Sequence, residues 1–291
     1  MNKRIAISTT LLALVTFALL LMHDSLQAKS HEPFHKDGEL SKSAEELFRL
    51  LGKKVTTLKT ANTFSQENLI RDGEYWDEQK KKPVHELMKK NRTALIAQLQ
   101  KLGMIDGILP EQQHYIYAGL TGGLKETVRS RVMYLEELIN NGYTFKYVVV
   151  MGGSRPLLEK EKEHLPEDIK TEADMMVYLL NNSGIKNNKI LVVDAPMVQK
   201  ADGTLARPTA EDTFVYFAKT APENGSFLII SNNPYILRRK ILAQQILDQE
   251  KFPVDATGKQ ANIEKMDIIF ACDELARTLY EEFRQFTAQA A

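Results

Sequence analysis

From about residue 110 onward, the chain alternates short apolar runs with longer segments whose apolar side chains recur at helical spacing. A run without polar alternation is typical of a strand buried on both faces of a parallel sheet. This order predicts an α/β domain over residues 111–291, a doubly wound parallel sheet with helices on both sides. The predicted strands are Tyr115–Leu120, Tyr147–Met151, Lys189–Val193 and Phe227–Ile230, with a weaker run at Phe252–Ala256.

Residues 38–110 precede this domain and carry a helical pattern. Ser43 and Glu46 have the spacing of a capping box, and apolar residues follow at helical intervals. A second helical stripe ends near Gly103, and a terminal helix is predicted from Asp273 to Phe286. We therefore expect a small helical region in front of the sheet. Its two apolar stripes are Leu47, Leu51, Val55 and Leu58, then Met88, Leu95, Leu99 and Leu102.

Residues 1–28 have the pattern of an export signal. Lys3 and Arg4 precede a run of apolar and hydroxyl-bearing residues over positions 5–22, and Ala28 offers a small residue for cleavage. The run is longer than a usual signal core and slightly short of a comfortable membrane span, so an uncleaved anchor is the alternative. The first interpretation predicts a periplasmic or secreted protein, and the second an inner-membrane anchor facing the periplasm.

The charge balance and the cysteine count exclude several classes of protein. Lysine plus arginine and aspartate plus glutamate number 38 each, whereas a nucleic-acid-binding protein would carry a basic excess. A single cysteine, Cys272, excludes an internal disulfide framework and a zinc site built from several thiolates. We therefore expect no nucleic-acid partner, and membrane association only through residues 5–22.

The string His31-Glu32-Pro33-Phe34-His35 matches the zinc-protease motif H-E-x-x-H in its letters. That motif binds zinc when its two histidines lie on one face of a regular helix. Pro33 stands between the histidines, and no apolar helical stripe surrounds the segment. We therefore predict no metal site here.

Small and polar residues follow the predicted strands, at the edge where open parallel sheets bind their ligands. The first two strands lead into Gly122-Gly123 and Gly152-Gly153, whose backbone N–H groups can approach a ligand closely. The fourth strand leads into Ser231-Asn232-Asn233. Because the following helices present their positive ends at the same edge, the pattern favours an anionic, phosphate-like ligand. No G-x-G-x-x-G or Walker sequence is present, which argues against a dinucleotide dehydrogenase or a P-loop NTPase.

Arginines near these strand ends are candidate ligand contacts. Arg238 and Arg239 open a predicted helix, where a cation is unfavourable unless an anion is present, and Arg238 is the strongest single candidate. Arg131 follows Gly122-Gly123 on the next helix, from which it could reach an anion. A surface or ion-paired role is the alternative for Arg131.

Glu172, Thr209 and Asp212 fit two explanations. Glu172 follows Thr171 at a predicted helix start, and Thr209 with Asp212 has capping-box spacing, so helix capping accounts for all three. In the alternative, Glu172 and Asp212 are catalytic carboxylates that handle protons. The predicted ligand contacts are Gly122, Gly123, Arg131, Gly152, Gly153, Thr209, Ser231, Asn232 and Arg238.

Several short motifs between Tyr115 and Leu247 occur in a distinctive order. They are Tyr115-Ile116-Tyr117 through Gly122-Gly123, Arg131, Val148–Gly153, Thr171-Glu172-Ala173, Thr209-Ala210-Glu211-Asp212 and Ser231 through Arg238. This order resembles a bacterial cell-envelope family of unknown function typified by SanA, ElyC and YdcF. The resemblance implies a Rossmann-like domain, exported or anchored, linked to envelope maintenance, with S-adenosylmethionine binding proposed for one branch. The resemblance adds Tyr235 to the predicted ligand contacts. Asp212 stands where the family usually has asparagine and Tyr235 where it usually has histidine, which implies altered or lost activity if that histidine is catalytic.

Three hypotheses about function follow. The first is an envelope enzyme acting on an anionic, phosphate-bearing or nucleotide-like small molecule held by Arg131 and Arg238. The second is a non-catalytic binding protein that uses the same edge of the sheet. The third is a scaffold in envelope assembly that offers its front helices to a partner.

Overall fold

The computed structural model describes residues 31–71, 78–186 and 188–290, so the predicted export segment lies outside the described residues. The strands are β1 (His35–Lys36), β2 (Glu39–Leu40), β3 (His114–Thr121), β4 (Thr144–Gly153), β5 (Lys189–Ala195), β6 (Val198–Gln199), β7 (Leu205–Ala206), β8 (Phe227–Asn232) and β9 (Val254–Lys259). The helices are α1 (Lys42–Leu50), α2 (Leu58–Asn68), α3 (Glu78–Lys90), α4 (Arg92–Lys101), α5 (Lys125–Asn140), α6 (Glu159–Lys162), α7 (Glu172–Asn181), α8 (Ala210–Thr220), α9 (Ile236–Ile246) and α10 (Ile268–Ala290).

A sheet of five parallel strands has the order β5-β4-β3-β8-β9. From β3 the chain winds outward through β4 to β5, then crosses to the other side of β3 and continues through β8 to β9. The winding direction therefore reverses between β3 and β8, which opens a crevice beyond their carboxyl ends. The predicted α/β, Rossmann-like fold class is confirmed. Four of the five predicted runs lie within β3, β4, β5 and β8, and the weaker fifth run overlaps β9 at Val254–Ala256 only.

Helices cover both faces of this sheet because its strands are apolar on both sides. On one face, α5 and α7 bury Leu135 and Met176 against the sheet. On the other face, α8 and α9 bury Phe217 and Leu242. Tyr117 of β3 lies in that second layer, with its ring centroid 5.1 Å from that of Phe217 in an edge-on arrangement. Full burial of an apolar side chain of this size stabilises the fold by about 1.5–3 kcal/mol.

The front helices α1 to α4 share one hydrophobic core with the C-terminal helix α10. Leu47 and Leu58 from the front helices meet Leu275 in this core. The terminal helix begins at Ile268, five residues before the predicted start, because Ile268 and Cys272 are buried in the same core. Burial raises the pKa of the Cys272 thiol to about 12, as expected of an inert structural cysteine. The described residues from Glu32 onward form one compact unit, and the predicted division near residue 110 stays a prediction.

The predicted capping box at Ser43 and Glu46 is wrong by two positions. Ser41 is the N-cap of α1, and its side chain accepts a hydrogen bond from the backbone N–H of Ala44. Ser43 lies inside the helix and donates its hydroxyl to the Glu32 carboxylate. Glu46 instead pairs with Arg49 one turn later, at 2.6 Å. Spacing alone identified a helix start but could not choose between two nearby serines.

Within the described ranges, every helix falls short of the length or the apolarity that a bilayer crossing requires. His35 lies in the short strand β1, so the two histidines of the H-E-x-x-H string do not share a helical face.

Candidate functional site

A cavity of about 370 Å³ lies over the carboxyl ends of β3 and β4, beside the start of α9. We call it the rim cavity. Its lining comes from those strand ends, from the starts of α7, α8 and α9, and from α10. The cavity thus occupies the position where open parallel sheets bind ligands, next to the reversal of strand order. Its volume falls within the range of small-molecule sites.

The lining of the rim cavity is strongly positive. Arginines exceed acidic residues by six to two in the lining. The chain as a whole carries equal numbers of positive and negative side chains, so this surplus is local. A positive potential focused inside a partly enclosed cavity attracts anions. The charged lining residues are Arg71, Arg155, Arg207, Arg238, Arg239 and Arg277, with Glu172 and Glu274.

Arg238 and Arg239, which we call the α9 pair, lie in the first turn of α9 and line the rim cavity. Nη1 of Arg238 lies 3.4 Å from the Glu274 carboxylate, whereas no hydrogen bond or ion pair ties the Arg239 side chain to any described residue. The Nε atoms of both arginines are buried without a partner in the described ranges. Burial, reinforced by repulsion from Arg238, lowers the pKa of Arg239 to about 10. An anion at this turn would satisfy donors that otherwise cost about 1–3 kcal/mol each.

Arg71 and Arg277, which we call the Asp273 pair, are held by one buried carboxylate and also line the rim cavity. Arg71 donates its Nε to Asp273 at 3.2 Å and its backbone N–H at 2.9 Å. Arg277 donates Nε and Nη2 to the two carboxylate oxygens, each at 3.1 Å. The Asp273 side chain is 3% exposed, so these charge-assisted bonds are shielded from water and keep both guanidiniums in place.

Glu172 is the first residue of α7 and lies directly against Gly122. A Cβ atom on Gly122 would come within 2.9 Å of Oε1 of Glu172, so glycine at this position leaves room for the carboxylate. Arg155 lies 3.6 Å from Glu172 while it makes a two-bond pair with buried Glu161, at 2.8 and 3.1 Å. Burial raises the pKa of Glu172, and the charge of Arg155 opposes that shift. A buried carboxyl with a raised pKa can donate or accept a proton closer to neutral pH.

Glu274 and Tyr235 complete the lining beside the α9 pair. Glu274 is 3% exposed, and burial raises its pKa against the opposing charges of the nearby arginines. Burial also raises the pKa of Tyr235, so its hydroxyl stays protonated and can donate a hydrogen bond at neutral pH. Tyr235 therefore offers a hydrogen-bond donor to the rim cavity.

The sequence-predicted site residues divide into two groups of equal size. Those that line the rim cavity are Gly122, Gly123, Glu172, Thr209, Tyr235 and Arg238. Those outside the lining are Arg131, Gly152, Gly153, Asp212, Ser231 and Asn232. Most residues of this second group have a contact inside the protein that accounts for the residue type.

Arg131 and Asn232 join the carboxyl ends of β3 and β8. Arg131 is 3% exposed; its Nε donates to the Asn232 side-chain oxygen at 2.8 Å and its Nη1 to the Thr121 carbonyl at 2.9 Å. A further bond from Nη1 reaches the Gly122 carbonyl. Burial, with repulsion from Arg239, lowers the pKa of Arg131 to about 9. These bonds hold the two strand ends together and account for both side chains, so direct ligand contact by Arg131 and Asn232 stays a prediction.

Gly152 and Gly153 allow close packing at the end of β4. A Cβ atom on Gly152 would meet the backbone of Ala173 in α7 at 3.0 Å. One on Gly153 would overlap the ring of Pro208, which lies just before α8. Helix packing therefore explains this glycine pair.

Asp212 caps α8 together with Thr209. The Asp212 carboxylate accepts hydrogen bonds from the backbone N–H and the hydroxyl of Thr209, both at 2.7 Å, and Thr209 accepts from the Asp212 N–H. The structure thus favours capping over proton transfer for Asp212. Ser231 is 1% exposed and lies outside the lining, and nothing in the structure accounts for its hydroxyl.

Sequence reasoning missed five charged residues of the rim cavity. Arg155 and Arg207 lie beside predicted strand and helix ends, so proximity to Gly153 and Thr209 could have identified them. Arg71, Glu274 and Arg277 carry no local signal, because only the packing of α10 against the front helices brings them to the sheet edge.

Comparison of this chain with protein-family models, with curated proteins and with solved structures found no match. The resemblance to the envelope family therefore stays a prediction.

Proposed function

We propose that this protein binds a phosphate-bearing or nucleotide-like small molecule in the rim cavity, through the α9 pair at the carboxyl end of the sheet. One observation carries the proposal: two guanidiniums occupy the first turn of a helix with buried Nε donors that no described residue accepts. Arginine donors in a planar fork match phosphate oxygens, and the helix terminus adds its own positive end.

Size and charge distribution narrow the class of ligand. A cavity of about 370 Å³ suits a small phosphorylated molecule rather than a polymer, and the neutral charge balance of the chain gives no extended basic surface for nucleic acid. S-adenosylmethionine carries a net positive charge at its sulfonium and amino groups, so a cavity with surplus arginine repels it. An anionic ligand is therefore the better candidate.

A second candidate function is turnover of the bound phosphate ester, and Glu172 favours it. Its carboxyl lines the rim cavity and its pKa is raised by burial. In hydrolysis, the oxygen of water would bond to phosphorus as the bond from phosphorus to the ester oxygen breaks. The protonated Glu172 would give its proton to that departing oxygen and regain one from the added water, leaving an alcohol and inorganic phosphate. Asp212 is not assigned this role, because its carboxylate is engaged in capping α8.

The proposed location is outside the cytoplasm, in the periplasm or attached to the inner membrane, and the proposed role is in the cell envelope. It rests on the export pattern of residues 1–28. Fractionation of cells expressing the full chain tests it, and recovery in the cytoplasm at full length would contradict it.

Titration of the full chain with inorganic phosphate by calorimetry tests the binding proposal. We expect one site per chain, and Arg238→Gln to weaken binding by about 1.5–3 kcal/mol, or about ten- to a hundredfold, because a charge-assisted contact is lost. The matched control is Arg284→Gln, which removes a surface arginine of α10 paired with Glu211 and Glu281 outside the rim cavity. Equal affinity in wild type and Arg238→Gln would remove the α9 pair from the site.

A further inference from the structure

The rim cavity contains two arginine groups with different origins and different states of pairing. The α9 pair comes from the sheet domain, and its Nε atoms have no partner in the described ranges. The Asp273 pair joins the end of α2 to α10, and both its members are fixed by one carboxylate. Glu274 lies next to Asp273 in the chain and 3.4 Å from Arg238, so the two groups face a shared space.

We infer that the Asp273 pair forms a second anion subsite, so that the ligand carries two negatively charged groups rather than one. This inference rests on the proposed function, because the first group is the phosphate at the α9 pair. The second group is another phosphate, as in a diphosphate, and the Asp273 pair selects ligands that have it.

The contacts of the Asp273 pair leave donors for such a group. Arg71 uses Nε on Asp273, and Arg277 uses Nε and Nη2. Within the part of the chain that the structure describes, both Nη atoms of Arg71 and Nη1 of Arg277 make no hydrogen bond. The guanidinium of Arg71 also lies 4.6 Å from the Phe270 ring centroid, which restricts its orientation further. Preorganised guanidiniums lose little side-chain entropy on binding, as a specificity site requires.

The position of Arg71 gives the front helices a part in recognition. Arg71 follows α2, whereas its partner Asp273 lies 202 residues later in α10. A ligand that reaches both arginine groups therefore contacts the sheet domain and the front region at once.

Calorimetric titration of the full chain with phosphate, pyrophosphate and tripolyphosphate, at matched ionic strength and with a metal chelator, tests the inference. We expect pyrophosphate or tripolyphosphate to bind about tenfold or more tightly than phosphate. Arg277→Gln should weaken pyrophosphate and tripolyphosphate binding more than phosphate binding and so remove most of that advantage, whereas Arg238→Gln should weaken all three. Arg284→Gln is the control for charge removal from α10.

Arg277→Lys separates geometry from charge. A lysine keeps the positive charge but loses the fork on Asp273, so the polyphosphate advantage should fall by about fivefold or more. If Arg277→Lys keeps the full preference for polyphosphates, that preference comes from positive charge alone, and the second subsite is overturned. Wild-type protein that binds phosphate without preferring a polyphosphate would overturn it without any variant. Failure to bind phosphate at all would instead contradict the proposed function.

Discussion

The two ends of the parallel sheet hold buried charge in different ways. At the amino end, Asp255 accepts hydrogen bonds from the Tyr115 hydroxyl at 2.6 Å and from the backbone N–H of Glu111 at 2.8 Å. Lys240 lies 3.0 Å from the Glu111 carboxylate and 3.5 Å from that of Asp255. At the carboxyl end, the α9 pair has buried Nε donors that no described residue accepts.

This difference separates a structural network from a binding site. The network around Asp255 is closed, because each of its charged groups has a partner within the protein. The charges of the rim cavity are not balanced in this way, because its arginines outnumber the carboxylates that line it. Buried polar groups in proteins are normally satisfied, so an unsatisfied cationic group next to a cavity indicates a function rather than a contribution to stability.

The largest effect is expected from Asp255→Ala, which removes the shared acceptor of the Asp255 network and should lower the free energy of unfolding. The Tyr115 hydroxyl and the N–H groups of Glu111 and Ala256 would lose their acceptor, which costs about 3 kcal/mol of the free energy of unfolding. Urea unfolding measures the loss, while the folded variant should keep wild-type phosphate affinity. Asp255→Asn, which retains an acceptor oxygen, is the control and should lose less. A variant as stable as wild type would mean that the network is not structural.

A smaller effect, a gain in anion affinity rather than a loss of stability, is expected from Glu274→Gln in the rim cavity. The carboxylate of Glu274 competes with a bound anion for Arg238, so its removal should raise the affinity for sulfate about tenfold. Calorimetric titration with sulfate measures the change, and Arg284→Gln again serves as the control. Weaker sulfate binding in Glu274→Gln would show that the carboxylate positions Arg238 instead of competing for it.

Glu274→Gln also tests the pH dependence of sulfate affinity. Burial raises the pKa of Glu274 and of Glu172, so both carboxyls take up a proton at higher pH than an ordinary glutamate. Sulfate affinity should therefore increase as pH falls through these raised values, with a shallower dependence in Glu274→Gln. The folded state binds these two protons more tightly than the unfolded state does. Their contribution to the free energy of unfolding is therefore complete below the pKa of the unfolded carboxyls and is lost as pH rises through the pKa of the folded ones. Equal pH slopes in the two proteins would exclude Glu274 from the site.

The smallest effect is expected from Asp212→Asn. An asparagine oxygen still accepts from Thr209, so the cap of α8 persists and the free energy of unfolding should fall by about 0.5 kcal/mol or less. Phosphate affinity should stay at the wild-type value. A large loss of turnover or binding in Asp212→Asn would restore the catalytic role that the sequence left open for this residue.

The sequence by itself determined the architecture of the sheet domain and the part of the rim cavity that follows directly from strand ends. Continuous apolar runs predict strands buried on both faces, because each side of a parallel strand packs against a helix. Four of the runs lie wholly in the sheet, and the fifth overlaps β9 in its last three residues. Gly122 and Arg238 were found for the same reason, since carboxyl ends of parallel strands meet at one edge, whereas Tyr235 was named only through the family resemblance.

Only the tertiary structure decided which charges meet at that edge and which stay inside. Arg71 and Arg277 join the rim cavity because α10 packs on the front helices, a contact between segments about two hundred residues apart that leaves no local pattern. Arg131 has the sequence position of a ligand contact, yet its side chain turns to carbonyl oxygens beneath the strand ends. Local spacing specifies secondary structure, whereas the direction of a side chain depends on which acceptors and cavities the folded chain places within its reach.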